Sequence, residues 1–292
     1  MVHRPVFADV ADVSARLTGA DYLADEATVT TVFLADRLGK PLLVEGPAGV
    51  GKTELAKAVA AATGAALVRL QCYEGIDEAR ALYEWNYRKQ LLRIQAAGVA
   101  ESGAWDELHD DIFSDEFLLS RPLLAAIRRT EPTVLLVDET DKADLEVEAL
   151  LLEVLSDFQV TVPELGTIAA ERRPFVLLTS NASRELSEAL KRRCLYLHLG
   201  YPDAEREVRI VLTRAPEVPA RLAEAVVRAV RTLRSAELKK APSISETLDW
   251  ARTLVALGVD GLDEATARAT LGVVIKHETD LRRAAAALGL VS

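Results

Sequence analysis

The chain has 292 residues, half of them hydrophobic, with 45 acidic side chains against 35 basic ones and a formal net charge of −10. That sign of charge draws in neither nucleic acid nor an anionic membrane surface, and no apolar run approaches the roughly 18 residues of a membrane span. Cys72 and Cys194 lie far apart and form no C-x-x-C pair; residues 1–8 lack a signal-peptide core, and the expectation is a cytoplasmic protein without a disulfide framework.

In chain order, residues 10–38 read as helical, with Asp21 and Asp25 at cap positions. Residues 41–45 form a short apolar strand, 53–63 a helix stopped by Gly64, and 66–71 a second strand. Residues 72–116 are irregular and carry an acidic run. Helical spacing returns over 118–129, and 132–138 is a buried-strand pattern, followed by a helix over 147–155. Two short β patterns, 159–162 and 166–169, flank Pro163, Glu164 and Leu165 and predict a hairpin. Residues 175–180 and 195–199 are further strands. Strands alternating with helices imply a parallel α/β sheet. After Tyr201 the strand signals stop, and 203–214, 220–238, 244–257 and 263–288 all read as amphipathic helices. The expected organisation is an α/β domain over 1–201, with an insertion over 72–116 and a hairpin over 159–169, and a small all-helical domain over 202–292.

Gly46, Pro47, Ala48, Gly49, Val50, Gly51, Lys52 and Thr53 fit the pattern G-x-x-x-x-G-K-[ST] between a strand and a helix. A glycine-rich loop turns backbone N–H groups toward phosphate oxygens, and the helix N-terminus adds partial positive charge. The pattern assigns Lys52 to the β- and γ-phosphates of ATP and Thr53 to Mg²⁺, with Glu54 beside them. The strand 133–138 ends in Asp138 and Glu139. Asp138 is the candidate Mg²⁺ ligand, and Glu139 the candidate general base for the attacking water.

With these motifs the sequence resembles the AAA+ ATPases and, among them, the MoxR family. The resemblance spans about residues 15–290 and implies a P-loop AAA+ core with a helical lid. It places Asn181, after Thr179 and Ser180, as the sensor 1 residue that orients water or meets the γ-phosphate. It places an arginine finger, acting on ATP held by a neighbouring subunit, at Arg192 or Arg193. Tyr22 and Leu23, in Gly19-Ala20-Asp21-Tyr22-Leu23, match the segment that packs near adenine. One departure stands out. MoxR proteins commonly begin a lid helix with Ser-Pro-Arg, the arginine being sensor 2, whereas here the stretch is Pro242-Ser243-Ile244-Ser245-Glu246. Arg234 and Arg252 are the nearby alternatives.

The stretches 73–79 and 83–87 look like those of MoxR proteins that accompany molybdenum hydroxylases of the carbon monoxide dehydrogenase type. The resemblance therefore implies a homo-oligomeric ring, a hexamer, that remodels a metalloenzyme client during metal or cofactor insertion, with a von Willebrand factor A domain protein as partner. The alternatives are a nucleotide-dependent assembly switch and a DNA-associated motor of the McrB type.

Two constellations compete for attention. Tyr83, Trp85 and Tyr87 precede Arg88, Lys89 and Arg93, a mixture that can stack on single-stranded nucleic acid; in so acidic a chain local packing or a protein-gripping surface is expected instead. Glu101, Asp106, Glu107, Asp110, Asp111, Asp115 and Glu116, with His109, could be read as metal ligands, but a charge run is usually a solvated face. His3, His198 and His277 show no ligand spacing.

Overall fold

The computed structural model describes residues 4–97 and 105–290. His3 and Glu101 lie outside the described residues, and the side chains of Asp106 and Glu107 are likewise not described. Helices α1 (Val10–Gly19) and α2 (Glu26–Leu38) precede strand β1 (Leu42–Glu45), helix α3 (Lys52–Thr63) and strand β2 (Ala66–Gln71). The insertion then contributes α4 (Glu78–Ala81), β3 (Tyr83–Trp85), α5 (Tyr87–Ala97), α6 (Trp105–Ile112) and β4 (Leu118–Ser120). Next come α7 (Pro122–Arg128), β5 (Thr133–Asp138), α8 (Leu145–Asp157), the hairpin β6 (Gln159–Val162) and β7 (Gly166–Ala169), β8 (Phe175–Ser180), α9 (Glu188–Arg193) and β9 (Leu195–His198). Five helices close the chain: α10 (Ala204–Arg214), α11 (Ala220–Ser235), α12 (Ile244–Ala256), α13 (Glu264–Thr270) and α14 (Glu278–Ala287).

The main sheet has the order β2-β5-β8-β1-β9. Its β2–β5, β5–β8 and β8–β1 pairs are parallel, with Gln71 opposite Asp138 and Glu45 opposite Ser180. Both faces are covered, which is why β5 reads as an unbroken apolar run: all six of its residues are buried. Because the strands are parallel, Glu45, Gln71, Asp138 and Ser180 all end at one edge of the sheet. Ligand chemistry in open α/β sheets sits outside such carboxyl ends.

The chain forms two compact units. One comprises residues 1–16, 25–45 and 53–197; the other comprises 17–24, 46–52 and 198–292. In the first, Leu43, Leu135, Val137 and Leu178 from the sheet pack with Leu123, Ile127 and Leu151 from α7 and α8. In the second, Leu222, Val226, Val230 and Leu233 fall on one stripe of α11 and meet Trp250 and Leu254 of α12.

Three helical readings are corrected. Residues 10–38 are two helices, because Asp21 adopts φ 56° and Asp25 caps α2 by accepting from Thr28 N–H. Residues 118–129 are not one helix. Pro122 cannot donate within a helix and starts α7 at its first position, leaving 118–120 extended and paired with β3. Residues 263–288 are two helices separated by a 3-10 turn at Leu271–Val273.

Candidate nucleotide site

The phosphate loop belongs to the second unit. Gly49 has φ 73°, and a Cβ there would overlap the Cβ and Oγ of Ser243. A Cβ on Gly46 would overlap the carbonyl of Leu199. Only glycine lets the backbone run this close to its surroundings. The Lys52 ammonium is nearly buried, at 6% exposure, and donates to the carbonyls of Gly46 at 2.7 Å and Pro47 at 2.8 Å. It is thus held across the mouth of its own loop. Pro47, Ala48 and Gly49 are exposed, and Val50 is buried. Tyr22 lies beside the loop, since a Cβ on Gly51 would come within 3.8 Å of its ring. The carbonyl of neighbouring Leu23 accepts from Arg206 Nε at 3.0 Å.

The acidic edge belongs to the first unit. Thr53, in the first turn of α3, donates from Oγ1 to Asp138 at 3.0 Å. Asp138 is 2% exposed. It also accepts from Thr179 Oγ1 at 2.6 Å and from Arg69 Nε at 3.0 Å. Glu139 adopts a left-handed conformation, φ 56° and ψ 48°, uncommon for a residue with a Cβ and frequent at functional sites. Its N–H donates to Thr179 Oγ1 at 2.8 Å. Its carboxylate accepts from Lys142 at 2.7 Å, Gln71 at 3.0 Å and Asn181 at 3.5 Å. Glu54, also in the first turn of α3, pairs with Lys57 at 2.6 Å.

The structure thus brings Thr53, Asp138, Glu139 and Asn181 together. It adds Thr179, Arg69, Gln71 and Lys142, which the sequence reading missed. Thr179 bridges the two acids from the strand beside them, and that adjacency is visible only once the strand order is known. Hard oxygen donors from Thr53 and Asp138 in direct contact form a set that suits Mg²⁺.

Asp141 is a third carboxylate here, 3% exposed. Burial raises its pKa, but hydrogen bonds from Ser183 and the backbone more than offset this and hold it below the usual carboxylate value. Burial, then the charges of Asp138, Asp141 and Glu139, push the Cys72 thiol up to about 12. Burial alone drives Cys194 to about 12 against the opposing charge of Arg193. Neither is a reactive thiol.

At the end of α9 the two candidate fingers part company. Arg193 is anchored by Nε to Ser156 Oγ at 2.8 Å and by Nη1 to the Ala189 carbonyl at 3.3 Å. Arg192 is exposed and has no hydrogen bond or ion pair among the described residues. Arg184, nearby, is committed to the buried carboxylate of Glu148.

The family model of the AAA domain, dynein-related subfamily, matches residues 41–194, just over half of the chain. This chain belongs to the AAA family. It is 36% identical over 141 residues to chaperone protein ClpB 2 of Parasynechococcus marenigrum, a match covering 47% of this chain and 13% of that much longer protein. It is 25% identical over 241 residues to an uncharacterized protein of Staphylococcus haemolyticus, covering 80% of this chain and 82% of that one. Among solved structures, a RuvB mutant of Thermotoga maritima aligns over 93% of this chain and 72% of its own, with a TM-score of 0.48 and 17% identity.

In this AAA protein Arg234 and Arg252, in the C-terminal helices, are already engaged. Arg234 forms a two-pronged pair with the fully buried Glu207, at 2.6 and 2.8 Å, and stacks 4.2 Å from the Tyr201 ring. Arg252 pairs with Glu217 and donates to the Arg214 carbonyl at 2.7 Å. Several of the insertion's aromatics and cations are engaged within it, while Tyr87 and Arg88 are exposed. Trp85 packs edge-on against Phe113 at 5.2 Å, Lys89 pairs with Glu116 and Arg93 with Asp111. Asp115 is taken by Arg128. No three potential ligands cluster for a metal among the described residues, and none of the described helices is long and apolar enough to cross a membrane.

Proposed function

We propose that this AAA protein binds ATP with Mg²⁺ at residues 46–54, hydrolyses it, and acts as a MoxR-type ring that remodels a protein client. The observation that carries the reading is the convergence of Thr53, Asp138, Glu139 and Asn181, with the first acid held by a hydroxyl and the second by amides and an ammonium. Lys52 and Thr53 are consecutive in the G-x-x-x-x-G-K-[ST] pattern, which assigns the first to the phosphates and the second to the metal. Thr53 and Asp138 would hold Mg²⁺, which supplies charge neutralisation on the phosphates when bound. Glu139 takes a proton from the attacking water, and Asn181 orients that water or the γ-phosphate. Tyr22 and Leu23 flank the adenine.

Lys52→Ala removes the loop's only internal ammonium. By the strength of charge-assisted hydrogen bonds, MgATP affinity falls by about 10² in isothermal titration. Wild-type affinity in this variant would remove the assignment.

The chaperone-type role is supported by similarity to ClpB over the AAA core and by the MoxR-like motifs around residues 73–87. The client would be a metalloenzyme awaiting its metal or cofactor, with a von Willebrand factor A domain protein as partner and a hexameric ring as the working form. The acidic net charge, with Lys89 and Arg93 of the insertion paired to Glu116 and Asp111, favours a protein client over the DNA-associated motor. When a molybdenum hydroxylase of the carbon monoxide dehydrogenase type is co-expressed with this protein, its specific activity and cofactor content rise. Substituting Lys52→Ala loses that rise. Equal cofactor content with and without the ATPase would exclude this client.

A further inference from the structure

The phosphate loop and the start of α12 are joined by a backbone hydrogen bond. Ile244 N–H donates to the Gly49 carbonyl at 3.2 Å. Ser243 occupies the space where a Gly49 side chain would be, and Ser243 and Ile244 are 5% and 8% exposed. This contact is held from behind. A capping box fixes the helix start, with Glu246 accepting from Ser243 N–H at 2.8 Å. Arg234 donates to the Pro242 carbonyl at 2.7 Å while its other nitrogens are held by Glu207. Thr247 ties α12 to the same carboxylate at 2.9 Å. Arg234 and Glu207 are therefore positioning residues for the 242–244 backbone.

A peptide unit is rigid and planar, with its C=O and N–H pointing in opposite directions. The Gly49 carbonyl and the Val50 N–H belong to one such unit, so holding the carbonyl fixes the direction of the N–H. A hydrogen bond accepted at the carbonyl also polarises that unit and strengthens its N–H as a donor. Amides of this loop are the groups that meet the phosphates of a bound nucleotide. Neither Arg234 nor Arg252 is spare to meet a γ-phosphate.

We propose that the N-terminus of α12 reads occupancy of the phosphate loop through the Gly49 carbonyl, and so responds alike to ADP and ATP, whose shared phosphates fill the loop. This rests on the nucleotide assignment above. The lid of this protein then reports whether the site is filled, not whether the γ-phosphate is present.

Ile244→Pro tests the bond with little else changed. Proline suits the first helical position, and Ser243 already has the extended backbone, φ −85° and ψ 176°, that a following proline requires. Ile244→Ala loses comparable packing but keeps the N–H. Titrating ADP and the non-hydrolysable analogue adenylyl imidodiphosphate into both variants, the proline form binds each about threefold to tenfold more weakly than the alanine form, as one hydrogen bond warrants. The ratio between the two nucleotides stays the same. A second readout needs no variant: exchange of the Ile244 amide in the wild-type protein slows to a similar extent with either nucleotide. Equal affinities in the two variants, a loss confined to the ATP analogue, or slowing by that analogue alone would each overturn the proposal. A wild-type protein that binds neither nucleotide would overturn the nucleotide assignment itself, and this proposal with it.

Discussion

Glu139→Gln lowers ATP turnover by about 10²–10⁴, the usual scale for loss of a general base, and leaves ATP binding within a few fold of wild type. The two effects separate because the binding groups are different residues. Lys52 serves the loop, and the Thr53–Asp138 contact at 3.0 Å does not involve Glu139. Glutamine is close to isosteric, and its one amide oxygen can still accept from Lys142, while the 3.5 Å contact from Asn181 to the other oxygen is given up. The nearest rival base is Asp141, which is 3% exposed and engaged by Ser183 through both N–H and Oγ. With one oxygen taken twice by Ser183, this carboxylate is committed to the segment that follows β8. Phosphate release and nucleotide retention, measured on the same preparation, check both halves. Turnover within fivefold of wild type would require another base and would demote Glu139 to a structural acid.

The left-handed backbone at Glu139 shows what the sequence could and could not yield. An apolar run ending in two acids after a phosphate loop is legible from spacing alone, and so are strands β5, β6, β7 and β8, whose bounds follow apolar and turn residues closely. What was not legible is side-chain company that depends on strand order. Gln71 and Arg69 carry no motif, and Thr179 entered only as a neighbour of Asn181. They reach the acids because β2 and β8 flank β5 in parallel register, which places Gln71 opposite Asp138. The missed breaks have local causes of the opposite kind. At 118–129, one proline at the first helical position separates a strand from a helix, while the apolar spacing runs straight through it. At 10–38 the cap expected at Asp25 does start α2, and what the spacing hides is that α1 ends at Gly19, with a positive φ at Asp21. Apolar periodicity reports which face is buried and is insensitive to such single-residue punctuation.

Arg192 and Arg193 could not be told apart in the sequence, and the anchoring of Arg193 now ranks them. A finger that meets the γ-phosphate of a neighbouring subunit must be free of partners in its own. Arg193 is held by Ser156 and the Ala189 carbonyl, whereas Arg192 is exposed, with no hydrogen bond or ion pair among the described residues. Phosphoryl transfer spreads negative charge over the γ-oxygens, and a cation supplied there is worth about 10³–10⁵ in rate. Arg192→Ala therefore costs about 10³ or more in turnover with ATP binding kept, while Arg193→Ala costs less than about tenfold. On the proposed ring, where the cation comes from a neighbour, wild-type activity per subunit is expected to climb with protein concentration. Mixing gives the decisive measurement. Arg192→Ala and Glu139→Gln subunits are each inactive alone. In mixed rings some interfaces pair an intact Glu139 with an intact Arg192, so part of the activity returns. Mixed rings that assemble and stay inactive, or an Arg193→Ala loss as large as that of Arg192→Ala, would sink the assignment. Activity per subunit that is flat across the assembly range would instead mean that one chain completes its own catalytic site.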